Sequence, residues 1–367
     1  MKLLINASNL YVGGGVQVAV SYIEETVRIN RPFYAAVSPV VYSQLTDIAK
    51  SSCIKIDKSP SGMFNFSARR KLDEIVSVYE INTVFTIFGP SYWSPKKVHH
   101  IVGFALPWLI YDTHSVFEKL AWKNKFKTML LNYLQPYFYR KNANVVITET
   151  EDVSLRVKKL LKRPGINVYT VSNTLNDIFK DDKLYDYSAV GKLPVKSTED
   201  FWLLTISHNH PHKNLDTIKE LVKRLPPNYK FVTTLDENFA SELPSELQKR
   251  IIRLGSVTLF QCPPLYQSCD ALFLPTLLEC FSASYLEAMY MNKTILTSDL
   301  SFAHTVCRDS AVYFNPYDIN DIIDKILIVG EDSALRAKKT SSGKQLLSSF
   351  PDARQRAIKY FKIISKV

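Results

Sequence analysis

Short apolar runs rich in β-branched residues alternate along this chain with longer amphipathic stretches, and that rhythm leaves few folds open. Residues 2–6, 33–37, 83–88, 100–104, 144–148 and 167–171 have the length and composition of strands buried on both faces, with helical periodicity between several of them. Strands of that kind belong in a parallel sheet covered by helices. The rhythm breaks at residues 177–200, where acidic residues, Lys, Tyr and Ser occur without period. It resumes at 202–206, 230–234, 251–254, 271–274, 294–297 and 311–314. The pattern predicts an α/β chain of two doubly wound domains, residues 1–178 and 201–351, joined by a linker at 179–200, with a closing helix at 352–367.

Composition narrows the function classes. With 46% hydrophobic and 22% charged residues in 367, there is enough apolar material for full cores. The longest nearly uncharged apolar stretch, residues 101–111, contains Pro107 and falls well short of the ~18 residues a membrane span needs. Asn6 interrupts the first apolar run, leaving no room for a secretory signal, so a cytoplasmic location is expected. The five cysteines (Cys53, Cys262, Cys269, Cys280, Cys307) are odd in number and show no C-x-x-C spacing, which argues against a disulfide framework and a zinc site. His208, His210 and His212 alternate and could share a strand face, but no carboxylate or thiol stands beside them, and no metal is expected. The formal charge of +11 is uneven. Residues 1–175 hold 22 Lys/Arg against 12 Asp/Glu, and residues 176–367 hold 24 against 23. Such an excess attracts phosphorylated ligands, an anionic membrane or nucleic acid; with no nucleic-acid recognition motif present, nucleic acid is not expected as a partner.

Three segments could carry chemistry. Gly13, Gly14 and Gly15 follow the first strand and precede a helix, fitting either a tight turn or an anion site, although the G-x-G-x-x-G spacing of a dinucleotide fold is missing. Pro211 stops the first strand of the second domain, and Lys213 then stands where strand gives way to helix, at the sheet edge where open α/β folds bind ligands. In the third, a loop carrying Glu279 leads into Phe281, Ser282, Ala283 and Ser284, small residues that open a helix bearing Glu287. The two glutamates do not suit a hydrolase pair. Eight helical residues rise about 12 Å, beyond the spacing glycosidase carboxylates use.

These residues resemble glycosyltransferase family 4. Glu279 and Glu287 form its E-x7-E signature, inside Pro275-Thr276-x-x-Glu279-x-Phe281 and Leu286-Glu287-Ala288-Met289. The likeness runs over nearly the whole chain, through the glycine loop, Val171-Ser172-Asn173, Pro211-His212-Lys213-Asn214, Leu254-Gly255-Ser256-Val257 ahead of Leu265-Tyr266, Ser298-Asp299 and Phe314-Asn315-Pro316-Tyr317-Asp318. The resemblance implies the GT-B fold, two Rossmann-like domains facing each other across a cleft. The first would bind acceptor, with the closing helix packing back on it, and the second would bind a nucleotide sugar. It further implies sugar transfer with retention, without metal or cofactor, from a UDP- or GDP-sugar to a lipid-linked or oligosaccharide acceptor in O-antigen or capsule synthesis. By position, Lys213 would neutralise the diphosphate, the amides around Phe281–Ser284 would hold its distal phosphate, Glu279 would grip sugar hydroxyls and Glu287 the ribose. Gly13, Gly14 and Gly15 would line the substrate side.

The chain also departs from that family. Ser207-His208 replaces a Gly-Arg, exchanging a permanent charge for a titrating one, and Ser282 replaces a glycine. The acceptor-side His-Asp pair is missing; His99, His100 and His114 lie nearby but read as structural. A non-catalytic nucleotide-sugar-binding or scaffold protein, and an epimerase of the same architecture, are the competing readings. Finally, residues 116–138 read as one amphipathic helix. Val116, Leu120, Leu130, Leu134 and Phe138 recur along it, Trp122, Phe126, Tyr133 and Tyr137 add aromatic surface, and Lys119, Lys123, Lys125 and Lys127 form a basic stripe flanking the apolar one. The pattern suits a helix lying on an anionic membrane, which would make the protein peripheral at the inner face of the plasma membrane.

Overall fold

The computed structural model describes residues 1–62 and 64–366; Val367, the last residue of the expected closing helix, lies outside them. The chain divides into two compact units, Met1–Asp112 with Ala121–Thr174 and Pro351–Val367, and Thr113–Leu120 with Leu175–Phe350.

In the first unit seven strands pair in parallel: β1 (Leu3–Ala7), β2 (Tyr34–Val37), β3 (Cys53–Lys55), β4 (Thr83–Thr86), β5 (His99–Gly103), β6 (Val145–Thr148) and β7 (Asn167–Thr170). Their order is β3-β2-β1-β4-β5-β6-β7, with Ile5 opposite both Ala35 and Phe85. The core forms where Leu3, Ile5, Phe85 and Ile101 on the sheet meet Val16, Tyr22 and Ile23 on the helix Gly14–Arg28. The C-terminal helix Ala353–Ile364 packs here as well. The Tyr360 ring lies 5.1 Å from Tyr22 and 5.1 Å from Phe85. Buried Arg356 donates to Asn173 Oδ1 at 2.6 Å and to Ser21 Oγ at 2.8 Å.

In the second unit six parallel strands follow: β8 (Phe201–Thr205), β9 (Tyr229–Thr233), β10 (Ile251–Arg253), β11 (Ala271–Leu274), β12 (Thr294–Ser298) and β13 (Ala311–Phe314), ordered β10-β9-β8-β11-β12-β13. Phe231, Phe273 and Phe314, on the alternate strands β9, β11 and β13, meet with centroids 5.5 Å apart, the first pair edge-on and the second stacked. In each sheet the strand order reverses once, between β1 and β4 and between β8 and β11. Ligands of doubly wound sheets bind at the carboxyl ends of strands beside such a reversal.

Three expectations need correction. Residues 179–200 are not a free linker. The second unit begins at Leu175, and Phe179 is buried 5.8 Å from the Tyr266 ring, while Asp186 N–H donates to the Phe260 carbonyl at 3.0 Å. Residues 113–120 leave the first unit and count with the second. Residues 116–138 are therefore not one helix: His114–Glu118 ends before the helix Trp122–Asn142 begins. Lys119 falls in the break and donates to Asn214 Oδ1 at 2.7 Å, and half-buried Lys125 points to a different side of the second helix from Lys123 and Lys127, so the four lysines form no common stripe.

Candidate active site of the second unit

β8 and β11 are neighbours, and the chain leaves them on opposite sides of the sheet reversal, so the loops that follow both strands converge. After β8, Pro211 opens the single 3-10 turn Pro211–Lys213, ended by Asn214 in the left-handed region that Asn tolerates well. After β11, Leu277 N–H donates to the His212 carbonyl at 2.7 Å and the Thr276 hydroxyl donates to the same oxygen at 3.2 Å. These two bonds fasten one loop to the other. The result brings the Lys213 ammonium and the Glu279 carboxylate into a direct, mostly buried ion pair.

Beyond Glu279 the helix Ala283–Tyr290 starts at Ser282. Serine is a preferred capping residue, yet the Ser282 side chain accepts no bond from the first turn, which leaves those amides without a side-chain cap. A helix start in that condition offers N–H donors and the positive end of the helix dipole to an anion. One turn further in, Glu287 is buried, and its Oε2 accepts from the Tyr266 hydroxyl at 2.9 Å. Burial pushes the Glu287 carboxyl up to about 7, with the Tyr266 hydrogen bond opposing the shift.

The structure thus gathers Lys213, Glu279, Phe281, Ser282, Ala283, Ser284 and Glu287 around the loops after β8 and β11. His208 is different: it is exposed at the mouth of its loop. His210 and His212 stack at 5.6 Å, and burial pulls the His212 imidazole down to about 3, so it stays neutral. Among the described residues no group of His, Cys, Asp and Glu is arranged to hold a metal.

Gly13, Gly14 and Gly15 belong to the first unit, at its own sheet reversal. Gly13 has φ 71° and ψ −162°, a conformation essentially confined to glycine. A Cβ on Gly15 would lie 3.3 Å from Leu10 and 3.4 Å from Phe88, so this glycine lets the helix approach the loop after β4. His100 is buried with Nε2 2.8 Å from the Thr86 hydroxyl, and burial lowers its imidazole to about 4, which fits the structural role expected for it.

Sequence reasoning missed the fastening role of Thr276 and the bond from Tyr266 to Glu287. Both residues stood inside recognised motifs, but their partners lie 64 and 21 residues away in the chain. No local period reports such contacts.

Two parallel Rossmann-like sheets, each with one reversal, give this chain the GT-B fold. Residues 192–346, most of the second unit, match the family model described as glycosyl transferases group 1. The O-antigen chain mannosyltransferase RfbU of Salmonella typhimurium (strain LT2) is 24% identical over 243 residues, 62% of this chain and 66% of that protein, just under two thirds of its length. Among solved structures, Anabaena Alr3699/HepE in complex with UDP-glucose has TM-score 0.74 at 15% identity, with all of both chains covered. WaaG, a glycosyltransferase involved in lipopolysaccharide biosynthesis, has TM-score 0.73 at 13% identity, again with all of both chains covered. At those identities the likeness establishes the fold.

Proposed function

We propose that this protein transfers a sugar, with retention of configuration, from a nucleotide diphosphate sugar to a saccharide acceptor carried on lipid, in the assembly of a surface polysaccharide such as O-antigen or capsule. The observation that carries the reading is the Lys213–Glu279 pair beside the uncapped start of the helix Ala283–Tyr290. Departure of a nucleoside diphosphate builds negative charge on the leaving oxygens, and donors fixed in place before the reaction stabilise that charge at little cost in reorganisation. In this scheme the Lys213 ammonium exchanges its partner Glu279 for diphosphate oxygens, and the helix amides receive the distal phosphate. Glu279, released, accepts from hydroxyls of the donor sugar. Glu287, rooted under Tyr266, accepts from the ribose.

The names of the relatives support the choice of substrates: one is an O-antigen mannosyltransferase, another is bound to UDP-glucose, a third serves lipopolysaccharide synthesis. The donor is a UDP- or GDP-sugar, and the protein works as a peripheral enzyme at the inner face of the plasma membrane. No described helix is long and apolar enough to cross a membrane.

Release of nucleoside diphosphate, measured across a panel of UDP- and GDP-sugars with lipid-linked saccharide acceptors, tests the reading. Turnover of one donor supports it. Tight donor binding without turnover would favour the scaffold reading suggested by His208 standing in place of an arginine. Because ammonium and helix amides supply the positive charge, excess chelator is expected to leave turnover unchanged; a loss restored by added metal would contradict the scheme.

A further inference from the structure

The helix Trp122–Asn142 of the first unit carries a row of large apolar side chains that nothing in the unit covers. Trp122, Phe126, Met129, Leu130, Tyr133 and Tyr137 are exposed, the first by 74% and Tyr133 by 78%. At 3.6 residues per turn all six fall within an arc of about 100°, so they form one continuous stripe along a helix of 21 residues. The opposite side is fixed to the unit. Tyr139 and Asn142 are buried there, the Tyr139 hydroxyl donates to the Gly103 carbonyl at 3.0 Å, and Asn142 Nδ2 donates to the Ser91 carbonyl at 2.6 Å. The stripe is therefore a rigid, outward-facing feature of a folded domain.

Charge around the stripe has one sign. From residue 119 to residue 148 there is no Asp or Glu, while exposed Lys123, Lys127 and Lys141 run along the flank of the row. Lys123 lies 5.7 Å from the Trp122 ring and Lys141 lies 5.9 Å from the Tyr137 ring, so both ends of the row pair an aromatic body with a cation. Tryptophan and tyrosine favour the boundary between acyl chains and headgroups, and lysine stems reach from apolar surface to anionic groups. A two-fold pairing of this face with a second copy would set lysine against lysine, which disfavours a dimer.

We infer that this stripe is the membrane-docking surface of the protein, with the aromatic row seated in the interfacial region of an anionic bilayer and Lys123, Lys127 and Lys141 on lipid headgroups. The inference rests on the membrane reading above and names the surface and the chemistry. Apolar insertion supported by charge holds the protein on the bilayer, so attachment partly survives salt.

The test is sedimentation with vesicles of phosphatidylcholine plus phosphatidylglycerol, and of phosphatidylcholine alone, at low and high salt. Three proteins are compared: wild type, a Trp122→Ser, Phe126→Ser, Tyr133→Ser variant, and a Lys123→Gln, Lys127→Gln, Lys141→Gln variant. All six positions are exposed, and an unchanged thermal midpoint confirms each fold. The serine variant is expected to bind mixed vesicles at least about tenfold more weakly at both salts. The glutamine variant should lose about fivefold per lysine at low salt and most of its preference for phosphatidylglycerol. Absence of wild-type binding, equal binding by the serine variant, or a wild-type dimer that this variant converts to monomer would each overturn the inference. The vesicles contain neither donor nor acceptor. An active transferase that ignores them would sink the docking surface alone, and a vesicle-binding protein that turns over no donor would sink the transferase reading alone.

Discussion

Lys213 and Glu279 neutralise each other in the ligand-free site, and each is the other's solvation. Removing one leaves a mostly buried charge without its partner, but the effect on catalysis should be larger than the effect on folding, because the loops are fastened independently by the bonds to the His212 carbonyl. Glu279→Ala and Lys213→Ala are each expected to lower turnover by roughly a hundredfold or more with the fold retained, which steady-state kinetics and circular dichroism together would check. Near-normal rates for Glu279→Ala would remove it from the mechanism. Glu287 differs in kind, because its carboxyl is buried and is held by the Tyr266 hydroxyl in place of a cation. The folded chain holds its proton up to about pH 7, whereas the unfolded chain releases it near the ordinary value of 4.5. Native stability from this group is therefore fully present below about pH 4.5 and is lost as pH rises through 7. Glu287→Gln is expected to stabilise the ligand-free protein at pH 8 by on the order of 2–3 kcal/mol, raising the melting temperature by several degrees, and to make no difference near pH 4.5. Calorimetry at the two pH values checks it; equal melting temperatures at pH 8 would mean the carboxyl is better solvated than its burial implies. The same substitution should weaken donor binding.

At the scale of elements, twelve strands could be read from the sequence, most of them because their side chains are apolar on both faces and the whole run carries the signal; the exposed edge strand β7 still offers Val168, Tyr169 and Thr170, residue types that favour strands. β3 could not. It has three residues, lies at the sheet edge and is partly exposed, so Cys53-Ile54-Lys55 carries no hydrophobic run. The helix at 122–142 shows the opposite failure. Apolar residues continued in apparent helical phase across 116–138, and the break at residues 119–121 falls where the chain passes from 113–120, which count with the second unit, back to the first, which no local period reveals. The aromatic surface expected at Trp122, Phe126, Tyr133 and Tyr137 is an exposed row that also takes in Met129 and Leu130, while of the four lysines expected beside it only Lys123 and Lys127 lie along its flank. The glycine loop gives a cleaner reading. Gly13 stands at φ 71° with open space around a would-be Cβ, while Gly14 is the first residue of its helix, also with open space. Gly13→Ala is thus expected to cost about 1–3 kcal/mol through the backbone alone. Gly14→Ala should be neutral or stabilising by up to about 1 kcal/mol. Urea unfolding of the two variants separates them; equal stabilities would show that the loop relaxes away from the strained conformation.

At the scale of the molecule, the chain does not divide at the place where its periodicity lapses. The disordered-looking composition of residues 179–200 hides Phe179 and a set of polar bonds to the second unit, because such segments are held by scattered long-range contacts instead of a repeating face. The first unit is also discontinuous. Its core is completed by the last helix, whose Ala357, Tyr360, Phe361 and Ile364 are buried against residues near the start of the chain. Each large side chain of this set contributes about 1.5–3 kcal/mol by burial. Their sum, together with the loss of buried Arg356, is comparable with the ~5–15 kcal/mol that keeps a domain folded. Truncation after Phe350 is therefore expected to unfold the first unit selectively, since the core of the second draws its strands and helices from residues 201–329. Limited proteolysis of the truncated chain should digest residues 1–112 and 121–174 and leave a resistant fragment beginning near Leu175. Tyr360→Ala in the full-length chain should shift the first unit toward the same behaviour, by about 3–5 kcal/mol. If the truncated protein resisted protease throughout, the closing helix would be an accessory to the first unit and not part of its core; if both units were digested together, the second unit would depend on the first for its own stability.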